Sequence, residues 1–484
     1  MGSDELSRLA AEVVSEAPCS LEMPAGTGKT ELLAACVATA AKQGERSLVL
    51  THTNAGVDAI RRRLRRFGVP SSMVRVETIT NWAFTLSRSY PGIAGINVPG
   101  VPDWDNSQEY VEGAVRVAET LAVRQVHAVS FDCFFVDEYQ DCTVDQHELI
   151  VEISEAVPRT VILGDRLQAI FGFDKKRPLM DWDTDVRPRY TPKVVPHVPQ
   201  RWRNHNAALG QWLLDIRPSL FDGGSFDFST HSVAGLEWKQ CDFRTAIQTV
   251  NKAAYGLSKA GESVVLLDKL PNQVAKHASR LGGSYAVMED VAGRFMAKHL
   301  AELPDEEDAR LAFWLARMAK NCFVGLAGLD GTLQGRLKKG RIVSDLKRKG
   351  LQSVQASLDD LVTRPTYGQL CKSAAAIRAT PGLTLYRQEA WDDTFQAVSR
   401  GVEDGRSPQE ALAVVRDRLR HGRRGERRRI ASRTLLVKGL EFDHVIIANV
   451  QNFTDPRQLY VALSRARKTV TVIGNSPRLQ LGYD

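Results

Sequence analysis

The stretch Met23–Thr30, Met-Pro-Ala-Gly-Thr-Gly-Lys-Thr, constrains this chain more than any other. A short run ending Leu21-Glu22 leads into it, and a helical pattern from Glu31 to Ala41 follows. A Gly-rich turn feeding a helix N-terminus aims backbone N–H groups at an anion, and the helix dipole adds to the attraction. Lys29 can then reach outer phosphates, and the Thr30 hydroxyl suits Mg²⁺. Ala25, Gly26, Thr27, Gly28, Lys29 and Thr30 are therefore the expected phosphate-binding residues. The generic pattern opens on Gly, and Met23 stands there instead, but Gly26 and Gly28 keep the tight part of the turn. Taken alone, the stretch is also compatible with an ordinary turn before a helix, so the rest of the chain decides.

Around the loop, short apolar runs alternate with helical patterns. Ser47–Thr51, Val74–Ile79, Phe131–Val136 and Thr160–Leu163 read as buried strands. Asn54–Phe67 reads as a helix with Val57, Ile60 and Leu64 on one face and a run of Arg on the other. Strand–helix alternation with charged residues at the strand ends predicts a doubly wound parallel sheet that binds ligands at that edge. The stretch at about 82–129 has the Pro/Gly-rich loop Pro91–Pro102 and a helical Gln108–Arg124, and reads as a small insertion. A second α/β unit begins near Arg201. Its expected strands are Ser263–Leu267, Ser284–Met288, His444–Val450 and Thr469–Ile473, with a helix at Pro271–Leu281. Residues 289–429 show helical patterns rich in Lys and Arg. The expected plan is a first domain over 1–200, a second over 201–288 and 430–484, and a helical accessory insertion over 289–429.

Asp137-Glu138 follows the apolar Phe134-Phe135-Val136. A strand end would present both carboxylates beside the Gly-rich loop, one for the water shell of Mg²⁺ and one to polarise an attacking water. Composition permits such an enzyme. Hydrophobic content of 43% with 25% charged residues fits a globular protein, and no stretch of 18 apolar residues predicts a membrane span. The first residues lack a basic region followed by an apolar core, so the expected location is cytoplasmic. Seven Cys with no C-x-x-C pair fit reduced thiols and argue against a zinc module. The net charge of +7 is gathered in Arg61–Arg66, Arg336–Lys349 and Arg416–Arg429, which permits nucleic acid as a partner.

Several further segments, in order, carry a resemblance. Thr51-His52-Thr53-Asn54 resembles T-F-T-N; Asp137-Glu138-Tyr139-Gln140-Asp141 resembles D-E-x-Q-D; Gly164-Asp165-Arg166-Leu167-Gln168-Ala169-Ile170-Phe171 resembles G-D-x-x-Q-x-I-Y. Gln200-Arg201-Trp202-Arg203 resembles a segment ending N-Y-R. Lys438-Gly439-Leu440-Glu441-Phe442 matches K-G-L-E-F, and Tyr460–Arg467 is one residue from Y-V-A-L-T-R-A-R. Together with the phosphate loop, these segments resemble the superfamily 1 helicases of the UvrD/Rep/PcrA type. The resemblance implies an α/β fold of two RecA-like domains with helical insertions, hydrolysing ATP with Mg²⁺ between them. It implies 3′–5′ translocation on single-stranded or tailed duplex DNA.

Residue by residue, the resemblance gives Lys29 the phosphates, Thr30 and Asp137 the metal, Glu138 the attacking water and Gln168 the γ-phosphate. Arg203 and Arg465 would be arginine fingers reaching from the second unit or its border. Trp202 would stack on the base, and Gly439 and Glu441 would border the nucleotide. Thr51, His52, Thr53, Asn54, Thr78, Phe171 and Phe173 would contact nucleic acid. Departures from the family fall at Glu31 (Arg in the family), in Ser7–Ala17 (no adenine-reading Gln), at Phe173-Asp174-Lys175-Lys176 and at Leu435. They leave the base open between ATP and other nucleoside triphosphates. The short insertions also resemble compact UvrD-like subunits that work beside a nuclease in anti-phage systems such as Gabija. That likeness implies an alternative, a nucleic-acid-sensing NTPase that regulates a partner nuclease subunit.

Overall fold

The computed structural model describes residues 3–99, 102–172, 177–242, 244–257, 261–290, 293–421 and 427–483. The chain packs as two compact units. One comprises Met1–Gly235, Thr454–Lys468 and Arg478–Asp484; the other comprises Leu236–Phe453 and Thr469–Pro477.

The first unit is built on a six-stranded sheet of β1 (Cys19–Glu22), β2 (Ser47–Thr51), β3 (Val74–Thr78), β4 (Cys133–Val136), β5 (Thr160–Gly164) and β6 (Thr191–Pro192), in the order β3-β2-β4-β5-β1-β6. All its pairings are parallel. Alternate residues of one strand go to opposite faces. Phe134 and Val136 enter one core with Leu48, Leu50 and Ile162, while Cys133 and Phe135 enter another with Leu21, Val49 and Leu163. Both faces are apolar, so helices cover both, as the doubly wound expectation requires. The helices Ile79–Ser89, Ser107–Ala118 and Leu121–Ser130 occupy the region of the expected small insertion; the continuous helix expected over Gln108–Arg124 is two. A short antiparallel pair, β7 (Gly224–Asp227) with β16 (Arg478–Leu481), completes the unit.

The second unit carries another six-stranded sheet. Its strands are β8 (Leu236–Gln240), β9 (Val264–Leu267), β10 (Ala286–Val287), β13 (Arg429–Ser432), β14 (Phe442–Ile447) and β15 (Ala466–Gly474), in the order β10-β13-β9-β14-β15-β8. The strand β15 crosses from the first unit to the second after Lys468. Between β10 and β13 lies a helical region with its own core, in which Leu311, Trp314, Met318, Leu358 and Trp391 are buried together. It also holds a two-residue antiparallel pair, β11 (Phe323–Val324) with β12 (Thr384–Leu385). No helix among the described residues is long and apolar enough to cross a membrane.

Two of the departures from the expected plan have plain causes. The first unit continues to Gly235 rather than stopping near 200. The helices Ala207–Asp215 and Arg217–Asp222 are held to it, with Gly210 against Trp202 and Arg217 paired to Asp165 at 2.9 Å. The strand β13 was not expected. Its Arg-Ile-Ala-Ser is short and continues a basic run, yet it pairs with both β10 and β9.

Candidate active site

Parallel strands end on one edge of a sheet. The phosphate loop follows β1, Asp137-Glu138 follow β4 and Asp165 follows β5, with Leu21 beside Leu163 and Val136 beside Ile162 in register. The edge thus gathers the loop and three carboxylates. Lys29 Nζ lies 3.1 Å from Glu138 Oε1, and the Thr30 hydroxyl donates to Asp137 Oδ2 at 3.4 Å. Gly28, at φ 99°, precedes the helix Lys29–Lys42, so the first N–H groups of that helix are the orphan donors available to an anion.

Glu138 has φ 57°, the left-handed region that a residue with a Cβ avoids, at a cost of about 1–3 kcal/mol. Neighbours hold it there. Its N–H donates to Asp137 Oδ1 at 3.0 Å, and Gln140 Nε2 donates to Glu138 Oε2 at 2.6 Å. Gln140 Oε1 in turn accepts the Asp165 N–H at 2.8 Å, which ties the β4 end to the β5 end. Gln140 lies within the D-E-Y-Q-D segment, but sequence reasoning gave it no role.

The electrostatics are those of a buried mixed-charge cluster. Burial works against the charge on Lys29, yet Glu138, Asp137 and Asp165 hold its pKa above the ordinary lysine value. Burial pushes Asp137 up to about 6, opposed by Lys29 and reinforced by Glu138. Bound cations favour the charged form of such a carboxylate. Thr30 and Asp137 are hard oxygen donors, the kind Mg²⁺ takes in ones and twos while keeping waters and substrate phosphates in its shell. Among the described residues no group of three or more His, Cys, Asp or Glu could hold a metal ion without such help.

Arg465 and Gln168 meet at this edge, within the first unit. Arg465 Nη2 donates to Gln168 Oε1 at 3.2 Å, and Gln168 Nε2 donates to Asp165 Oδ2 at 2.9 Å. Arg465 is 1% exposed; its Nε donates to Val461 O at 2.9 Å and its Nη2 to Ser464 Oγ at 2.8 Å. Arg203, by contrast, is exposed. Both arginines belong to the first compact unit, whereas the sequence plan had them reach from the second or its border. The helix Pro456–Leu463, which leads to Arg465, packs with the first unit through Tyr460, whose hydroxyl accepts the Ala25 N–H at 3.1 Å.

Trp202 has a different place from the expected base-stacking one. Its ring is fully buried, its Nε1 donates to Ala466 O at 2.6 Å, and a Cβ on Gly26 would stand 2.5 Å from its Cζ3. With no exposed face, Trp202 buttresses the phosphate loop from beneath. Gly26 is also at φ +72° and its carbonyl accepts the Arg201 N–H at 3.0 Å. Gly26→Ala is therefore expected to displace the loop and weaken nucleotide binding about 10-fold or more, the equivalent of a strained left-handed residue plus a backbone shift. A fluorescent-nucleotide titration checks this; wild-type affinity would show that the loop tolerates the shift.

The expected nucleic-acid residues lie toward the other end of the same edge, on β2 and β3. Thr51 and Thr78 are in register. The Thr51 side chain is buried against Gly56, so it offers no hydroxyl at the surface. Thr53 and Thr78 cap helices, accepting from Gly56 N–H at 3.0 Å and Asn81 N–H at 3.1 Å. His52 Nε2 lies 3.4 Å from Cys142 Sγ, and Asn54 opens the helix Asn54–Arg66. Phe171 is half-buried. Phe173 lies outside the described residues. The Arg61–Arg66 run is partly spent within the protein. Arg61 donates to Val76 O at 2.8 Å, and Glu31 pairs with Arg63 at 3.3 Å and Arg66 at 2.6 Å. Glu31 thus has a structural partner where the family has Arg. In the second unit, Gly439 and Glu441 are exposed on the turn that enters β14, with Gly439 at φ 82°.

With this geometry established, residues 7–174 match the family model of an AAA domain, and residues 436–473 match that of the UvrD-like helicase C-terminal domain. A search among curated proteins gives no match. The first match spans the phosphate loop, Asp137-Glu138 and Gln168. The second spans Gly439, Glu441 and Arg465.

Proposed function

From the premise that the chain belongs to the superfamily 1 helicases of the UvrD/Rep type, we propose that it is a nucleic-acid-dependent ATPase that translocates 3′ to 5′ on single-stranded DNA and opens tailed duplexes. The observation that carries this reading is the convergence of Lys29, Glu138, Gln168 and Arg465 at one sheet edge, with no member of the hydrolytic set lost.

In this reading the N–H groups at the start of the helix Lys29–Lys42 and the Lys29 ammonium bind the phosphates. Glu138 orients a water and takes its proton as the water attacks. Gln168 senses the terminal phosphate, and Arg465 and Arg203 neutralise charge that develops on it. Thr30 and Asp137 would hold Mg²⁺, which supplies charge neutralisation on the phosphate oxygens. Gln168 stands three residues before Phe171, so occupancy of the phosphate site and contact with bases would share one short stretch of chain. Phe171 supplies a stacking surface; base stacking is worth about 1–3 kcal/mol per base. The polarity and the preference for DNA rest on the family alone.

A strand-displacement assay with 3′-tailed, 5′-tailed and blunt duplexes tests the proposal. Unwinding of the 3′-tailed substrate alone is expected. Unwinding from a 5′ tail overturns the polarity. Stimulated hydrolysis with no unwinding, together with assembly at high mass with a nuclease, supports the sensing subunit instead.

A further inference from the structure

Arg217 lies in Ile216-Arg217-Pro218, outside every motif, yet it pairs with a carboxylate of the site. Its side chain is 9% exposed and its Nη2 lies 2.9 Å from Asp165 Oδ1 and 3.4 Å from Glu22 Oε1. Its guanidinium stands 5.0 Å from the Tyr460 ring centroid and 5.3 Å from that of Phe221. Asp165 is fully buried, and Arg217 and Tyr460 are also hydrogen-bonded to each other. Removing the cation would take from a buried carboxylate its ion pair at 2.9 Å, leaving it the Gln168 amide and the Leu167 N–H as hydrogen-bond donors.

Two chains of contacts meet at this one side chain. In the first, Arg217 holds Asp165, Asp165 accepts from Gln168 Nε2 at 2.9 Å, and Gln168 Oε1 accepts from Arg465 at 3.2 Å. A carboxylate only accepts hydrogen bonds, so the amide NH₂ of Gln168 must face Asp165 and its carbonyl must face Arg465. The orientation of the Gln168 amide is therefore set between the anchored Asp165 on one side and the donor-only Arg465 on the other. In the second, Arg217 supports Tyr460, whose hydroxyl accepts the Ala25 N–H of the phosphate loop at 3.1 Å. Tyr460 sits on the helix that leads to Arg465.

We infer that Arg217 is a positioning residue for hydrolysis: through Asp165 it orients Gln168 and Arg465 toward the terminal phosphate. The inference rests on the proposed roles of Gln168 and Arg465. It adds a residue that no motif marks, and it explains why a buried arginine is tolerated beside a buried aspartate. A planar five-donor fork can serve Asp165, Glu22 and Tyr460 together; a lysine ammonium keeps the charge but cannot serve them all in one geometry.

The test uses the full-length Arg217→Lys protein with single-stranded DNA. It measures kcat and KM for ATP, and affinities for ADP and a non-hydrolysable triphosphate analogue. Loss of an oriented polar group at a transition state costs about 10²–10³ in rate, and kcat is expected to fall by about 10². ADP affinity stays within about twofold, while the preference for triphosphate over diphosphate shrinks, because the damage is at the terminal phosphate. General structural damage would lower both affinities together, and that result, or a kcat within about twofold of wild type, overturns the inference. If Arg217→Lys does not fold, Asp165→Asn takes its place. An amide keeps the shape of the side chain but removes the charge that pairs with Arg217, so the same fall in kcat is expected, and normal turnover overturns the inference. Lys29→Ala is run in parallel. If it is inactive while Arg217→Lys is normal, only the positioning role falls; if it turns over normally, the phosphate-site reading falls as well.

Discussion

Arg465→Lys lowers DNA-stimulated ATP turnover by about 10³-fold or more, the scale on which an arginine finger acts. The guanidinium currently makes bonds to Val461 O, Ser464 Oγ and Gln168 Oε1. A lysine keeps a charge there but not the fork, so it cannot hold Gln168 and a phosphate oxygen together. Val461 O also accepts from Ser464 Oγ at 3.1 Å, so the helix end keeps a partner and the fold should survive. The loss of one neutral-acceptor bond costs about 1–3 kcal/mol, too little to unfold a chain of two compact units. Steady-state kinetics beside a thermal melt separate the two effects. Turnover within tenfold of wild type, with the melt unchanged, would remove Arg465 from the chemistry.

Glu138→Gln gives the second large effect, a fall of about 10²–10⁴ in kcat as the proposed general base is lost. The substitution is close to isosteric, and Gln pays the same backbone strain at φ 57° as Glu does. Lys29 loses one of three nearby carboxylates but retains Asp137 and Asp165. Triphosphate binding should persist, so the variant is expected to trap ATP rather than release it. Rapid quench of single-turnover reactions reads the chemical step directly. A normal chemical step would transfer the role of base to another group, with Asp137 the nearest carboxylate along the chain.

Much of the first unit could be read from the chain because parallel strands buried on both faces are continuous apolar runs. Ser47–Thr51 and Thr160–Leu163 appear as such in the sequence, and β2 and β5 lie where they were expected. Strands without that signature escaped. In β8, Leu-Glu-Trp-Lys-Gln alternates polar and apolar at a sheet edge, and β13 continues a basic stretch. The site divides in the same way. Residues fixed by local geometry, such as Gly28 before a helix or Asp137-Glu138 after a strand, carry their own signals. Residues that act through distant contacts do not. Nothing near Arg217 in sequence announces Asp165, and nothing near Trp202 announces that Gly26 leaves room for its ring. The Glu31 departure looked like a change in base recognition; its ion pairs with Arg63 and Arg66 supply a structural reason for the acid.

In the proposed function, hydrolysis at the Lys29–Glu138–Gln168–Arg465 edge is driven by nucleic acid. The most direct measurement is the hydrolysis rate with ATP and with GTP, each alone and with single-stranded DNA or RNA at one stated salt concentration. A slow basal rate raised at least about tenfold by single-stranded DNA is expected, with the stimulation lost in Glu138→Gln. A rate that is the same with and without nucleic acid, for both nucleotides, would contradict it.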